Sequence, residues 1–166
     1  MQLYQFLKFT VVILLIASFP LVTDAQNWEW AKSVQSLANN RSTDIALSPG
    51  NHLYTFGNFI DTSWFDGDTL VPVFSNLEGG KSQDCYVIST DISGNKKWTR
   101  TWGGMGTDIL VAGDADSVGN VYVTGSFSRG LYVDGDTITS YNNASVADYD
   151  IFVFKLDSSG NYIWKK

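Results

Sequence analysis

Carboxylates, amides and tryptophans are the residues of this chain with most scope for chemistry. Asp66 with Asp68, and Asp134 with Asp136, are close pairs of acids. Two carboxylates flanking a bond can hydrolyse a glycoside, one as acid and one as base or nucleophile. A catalytic pair is needed once, whereas these recur at equivalent places, as turn residues do. Glutamate is scarce, with only Glu29 and Glu78. Asp114, Asp116 and Asn120 offer oxygen ligands at short spacing, and Asp148 and Asp150 add two more. They are the candidate metal ligands, and calcium is the ion they suit. The helical type of calcium loop also needs a closing Glu, which is missing. Trp64 and Trp102 are the candidate ligand-binding residues, because an aromatic face stacks on a sugar ring.

The remaining reactive types exclude more than they offer. The single His52 removes most histidine catalysis and most zinc sites, and it reads as a turn residue. The single Cys85 rules out an internal disulfide framework. It sits in the apolar run 84–88 and is expected to be a buried, inert thiol. No serine has a nucleophile motif around it. Lys and Arg number 11 against 17 Asp and Glu, a net charge of −6. Without basic blocks such a chain is a poor partner for nucleic acid. With 44% apolar and 14% aromatic residues it has enough to build a core.

The elements that must position these residues repeat. Trp30, Trp98 and Trp164 lie 68 and 66 residues apart. Asp66-Gly67-Asp68-Thr69 returns as Asp134-Gly135-Asp136-Thr137. Asp91-Ile92-Ser93-Gly94-Asn95 returns as Asp157-Ser158-Ser159-Gly160-Asn161, each followed by the periodic Trp. Gly50-Asn51-His52-Leu53-Tyr54 matches Gly119-Asn120-Val121-Tyr122 if His52 is taken as a one-residue insertion. Several motifs in one order at one period establish an internal repeat.

Each unit reads as β. Short runs of β-branched and aromatic residues lie between Gly, Asn and Asp clusters. Strands are expected at 43–48, 53–59, 64–65, 69–74 and 85–90 in the first unit. In the second they are expected at 108–112, 121–124 and 151–156, with 131–139 a small hairpin or a strand with a corner. The polar stretches 75–83 and 140–148 read as outer loops. No window after the N-terminal segment has helical spacing. Such units cannot bury both faces alone, and stacking solves this. The expected fold class is all-β, with antiparallel β-propeller-type blades. The period allows about two blades and the start of a third, an incomplete ring. The Asp-x-x-Gly-Asn stretches are expected to be tight turns, with Asp capping backbone N–H groups and a Trp wedged between blades.

The second unit resembles the bacterial β-propeller repeat known as the SBBP repeat. The likeness rests on Trp98, Trp102-Gly103-Gly104, Asp108 and Gly119-Asn120-Val121-Tyr122-Val123-Thr124-Gly125. It continues in Asp157-Ser158-Ser159-Gly160-Asn161 before Trp164. The first unit is degenerate and lacks the Gly-Gly pair. The resemblance implies a fold and a secreted or surface compartment, of the Bacteroidetes type, without implying one activity.

The N-terminus reads as an address. Lys8 precedes the apolar run 9–22, and Thr23-Asp24-Ala25 ends in small residues. This is the layout of a Sec-type signal peptide over 1–25, with a mature start at Gln26. The run is short for a membrane span, and Pro20 interrupts it. No Cys marks a lipoprotein site. The expected organisation is 1–25 signal, 26–97 degenerate first repeat, and 98–166 second repeat with the start of a third. The expected role is a secreted or surface binding and scaffold module, the front of a longer protein. Its partners would be neighbouring blades in cis or in trans, a polysaccharide or a surface protein. The alternatives are a propeller glycosidase or lyase, and a lectin-like chain that closes its ring by oligomerising.

Overall fold

The computed structural model describes residues 29–73, 82–141 and 148–166. Segment 1–25, expected to be a signal peptide, lies outside them, as does most of the two expected loops. The described residues form thirteen strands and no helix, and the pairings between these strands are antiparallel. The all-β antiparallel class is therefore as the sequence implies.

In chain order the first unit holds β1 (Gln35–Ser36), β2 (Asn40–Leu47), β3 (His52–Phe59), β4 (Ser63–Phe65), β5 (Asp68–Leu70), β6 (Asp84–Asp91) and β7 (Lys96–Gly104). The second holds β8 (Asp108–Ala115), β9 (Val121–Phe127), β10 (Gly130–Val133), β11 (Asp136–Thr139), β12 (Asp150–Leu156) and β13 (Tyr162–Lys165). Strands β2, β3, β6 and β7 make one four-stranded meander, and β8, β9, β12 and β13 make another.

Between the second and third strands of each meander lies a short hairpin, β4–β5 or β10–β11. Its two-residue turn is Asp66-Gly67 or Asp134-Gly135, with φ of 48° and 87°, and 50° and 81°. Positive φ at both central residues marks the turn type whose twist suits paired strands. Neither hairpin joins its own meander. Strand β10 pairs with the end of β7, Leu131 opposite Gly104 and Tyr132 opposite Gly103. Strand β4 pairs with β1 in the same way, Ser63 opposite Ser36 and Trp64 opposite Gln35. The second hairpin thus latches onto the outer strand of the first unit, and the first hairpin onto β1, the counterpart of that strand's end.

The repeat is kept in backbone register. The pair Tyr54–Ala46 has its counterpart in Tyr122–Asp114, and Ser89–Trp98 in Lys155–Trp164. Both inner strands bulge at one place, between Ser42 and Asp44 in β2 and between Leu110 and Ala112 in β8. The expected insertion at His52 is absent. Ser48 N bonds to His52 O and Asn51 N to Ser48 O, as Asp116 N does to Asn120 O and Gly119 N to Asp116 O. His52 therefore occupies the place of Asn120. Asn51, at φ 59°, occupies the left-handed place of Gly119, at φ 87°.

The main core lies between the two meanders. Tyr54, Phe56, Cys85, Val87 and Trp102 come from one side, and Leu110, Val121, Val123, Phe152 and Phe154 from the other. Trp102 meets Phe152 and Phe154 edge-on at 6.1 and 5.5 Å. A smaller core of Phe59, Phe65, Leu70, Tyr86 and Ile88 covers the opposite face of the first meander, with Val34 packed against it.

Candidate functional site

The capped turns are the most regular polar sites. Asp91 Oδ1 accepts from the N–H of Ser93 at 3.0 Å and of Asn95 at 2.9 Å, and Oδ2 from Asn95 Nδ2 at 3.1 Å. Asp157 repeats this with Ser159 and Asn161. Asp116 repeats it with Val118 and Asn120, and adds Tyr122 Oη at 3.3 Å. These bonds favour the ionised acid. The Asn95 backbone N–H, foremost, draws the Asp91 carboxyl down to about 2. The Asn120 side chain, foremost, lowers that of Asp116.

The metal candidates are thus already engaged. Both oxygens of Asp116 serve the turn, Asn120 Nδ2 faces Asp116, and Asp114 Oδ1 accepts from the Ala115 N–H at 2.8 Å. No group of three or more His, Cys, Asp or Glu among the described residues is placed to hold an ion. The hairpin acids are engaged too. Asp66 pairs with Lys32 at 2.8 Å, Asp68 with Lys96, and Asp136 with Lys165 at 2.7 Å. Hydrogen bonds from Lys32 and Lys96, respectively, lower the carboxyls of Asp66 and Asp68. A general acid for glycoside cleavage needs the opposite shift.

The periodic tryptophans bond to the turn about 60 residues further along the chain, and Trp98 thereby joins the first meander to the second. Trp30 Nε1 donates to Ile92 O at 2.8 Å, and Trp98 Nε1 to Ser158 O at 2.9 Å. Each ring lies over the turn glycine, Gly94 or Gly160, where a Cβ would sit 2.8 Å from it. Further bonds between units run from Tyr54 Oη to Gly119 O, from Arg100 Nε to Gly160 O, and both ways between Asn58 and the Leu110 backbone. Trp102 proves to be interior, not a surface platform. It is 0% exposed. On a strand, residues two and four apart share a face, so Trp98, Arg100 and Trp102 all point at the second meander. Trp64 is 39% exposed, and Tyr132, its counterpart on the other hairpin, is 43% exposed.

Two acids that the sequence did not single out as a site are fully buried. Asp84 opens β6 and accepts from Val73 N at 2.6 Å and Ser82 Oγ at 3.1 Å. Its repeat partner Asp150 accepts from Tyr141 N at 2.5 Å. Burial lifts the Asp84 carboxyl to about 6. Asp108 opens β8, and neither of its oxygens has a well-aligned donor among the described residues. Burial, then the charge of Asp84, lifts it to about 8, and the nearby Gly104 and Ser128 backbone offsets only part of this. Both causes favour the protonated form of Asp108. The Gly103-Gly104 pair makes room here. A Cβ on Gly103 would fall on the Asp84 carboxyl, and one on Gly104 on the Gly130 carbonyl. Neither acid is open to a substrate. Cys85 beside them is fully buried, and burial raises its thiol well above the ordinary value.

Comparison of the chain with protein-family models and with curated proteins found no match.

Proposed function

We propose that the chain is a stack of β-propeller-type blades of the SBBP kind, serving as a binding and scaffold module of a secreted or cell-surface protein. The observation that carries this is the outward face of the second meander. On the first meander, Tyr54, Cys85 and Val87 are buried against the second, and Trp98 packs against that core. Their counterparts Tyr122, Ile151, Val153 and Trp164 lie on the equivalent face of the second meander. There Ile151 is 75% exposed and Trp164 38%. An apolar face with one copy buried and the next bare is built for stacking. The signal-like residues 1–25 support export. The engaged hairpin acids favour binding over glycoside cleavage.

Sedimentation of the exported chain, with a dye that reports exposed apolar surface, tests the reading. Self-association or strong dye binding, relieved by Ile151→Asp, is expected. A monodisperse, cooperatively melting monomer that binds no dye would overturn it.

A further inference from the structure

The hairpin of the second unit frames a cleft of about 290 Å³ lined by Met105, Arg129, Gly130, Tyr132, Thr137 and Thr139. That is near the lower end of small-molecule sites, which start at roughly 300 Å³. It has room for one ring, with the neighbours of that ring outside. Its chemistry is uneven. Tyr132 and Met105 offer apolar surface and are 43% and 44% exposed. The two threonines stand on β11 along the same hairpin.

Arg129 is the unusual member. Its Nε is buried and has no acceptor, and none of the ion pairs among the described residues involves its guanidinium. A buried donor without an acceptor costs free energy. The backbone of Arg129 is also left-handed, at φ 65°. A long side chain rarely adopts that conformation, and such outliers gather at binding sites. The first unit has nothing like it, because Asp61 stands in the equivalent place and bonds its carboxylate to the Thr62 N–H at 2.8 Å. The cation is thus an addition of the second unit, not a part of the repeat.

We infer that this cleft binds a carboxylate-bearing sugar, a uronic acid residue of a polysaccharide. The two terminal nitrogens of Arg129, which are not enclosed as Nε is, match a carboxylate end-on and bidentately. Tyr132 would receive the apolar face of the ring, and Thr137 and Thr139 its hydroxyls. The net charge of −6 repels polyanions at a distance, so recognition rests on this one cation at contact range. The inference rests on the binding role proposed above but not on the stacking face.

Calorimetry of the exported chain with a tetragalacturonide tests it, against neutral maltotetraose and tetra-alanine with a free C-terminus. Binding of the galacturonide alone is expected. Arg129→Asn suits the left-handed backbone and should weaken that binding about tenfold. Tyr132→Ala should weaken it comparably, with both variants keeping the near-ultraviolet spectrum of the folded chain. No heat with the galacturonide, equal affinity for maltotetraose, preference for the peptide, or an unaffected Arg129→Asn would each overturn it. Sedimentation of the same samples reports stacking separately, so the failure of one reading is told from that of the other.

Discussion

Replacing Asp108 by Asn should make the protein more stable at alkaline pH and flatten its pH dependence. In the unfolded chain this carboxyl ionises near 3.8, and in the folded chain near 8. A folded value raised above the unfolded one gives stability that is complete below pH 4 and is lost as pH rises through 8. Each pH unit in that window costs about 1.4 kcal/mol. Between pH 5 and pH 8 the loss at Asp108 is thus about 4 kcal/mol, and Asp84, near 6, adds roughly 1 kcal/mol. The first unit already contains the substitution. Asn40 stands at the equivalent place, where its Nδ2 donates to the Val34 carbonyl and its Oδ1 accepts from Ser63. By the repeat offset, the counterpart of that carbonyl belongs to Trp102. Urea unfolding followed by tryptophan fluorescence at pH 5 and pH 8 reads both proteins. Relative to wild type, Asp108→Asn should gain up to about 4 kcal/mol on going from pH 5 to pH 8. Equal pH slopes, or a variant weaker than wild type at pH 8, would mean that the buried carboxylate is a compensated anion. The account of the Gly-Gly acid nest would then fail.

The turns give a graded set. Gly160→Ala meets both a left-handed φ of 82° and the Trp98 ring, whereas Gly135→Ala meets a φ of 81° with open space around it. The second should cost about 1–2 kcal/mol and the first clearly more, with a change in Trp98 fluorescence that the second lacks. Asp91, held near 2 by the Asn95 bonds, stabilises above pH 4 and loses that effect as pH falls through 2. Asp91→Ala should therefore melt below wild type at pH 7 and together with it at pH 2, as calorimetry would show. Expressed in a bacterial host with Sec-type export, the chain should be recovered outside the cytoplasm with Gln26 as its first residue by mass spectrometry.

Much of the fold is legible because the repeat is written in local chemistry. Asp-x-x-Gly-Asn specifies a turn through its own atoms, and all three copies close in the same way. Asp-Gly fixes the hairpin tips likewise. The strands between them follow from β-branched and aromatic runs. Harder to see was whatever depends on a second strand. Strand β7 reads poorly because Lys96, Lys97 and Arg100 interrupt it, although Trp98 and Trp102 at a separation of four already share a strand face. The latch of each hairpin onto a strand outside its own meander has no local signature, since it lies in pairings such as Tyr132 with Gly103. The residue letters alone imply an insertion at His52. Matching by backbone conformation removes it, because Asn and Gly both tolerate a left-handed φ.

Where the two units agree in backbone but differ in chemistry, the difference reports what each position is for. The turn acids, the hairpin glycines and the stacking tryptophans are kept: the acids close their own turns, the glycines shape the hairpin tips, and the Trp98 bond joins the meanders. Asn40 and Asp108 share one place in the repeat, half-buried in the first unit and fully buried in the second, and only the second carries a titratable group. Asp61 and Arg129 share one surface place, and there the charge itself is reversed. Stacking needs neither change, since the first unit latches and packs without them. A repeat relaxed at a position can keep whatever leaves the fold intact, so a buried, unpaired cationic nitrogen at such a position is a cost that stacking does not explain. A carboxylate on the terminal nitrogens of Arg129, which unlike Nε are not enclosed, would pair the cation, and the left-handed backbone at that residue lies in the same cleft.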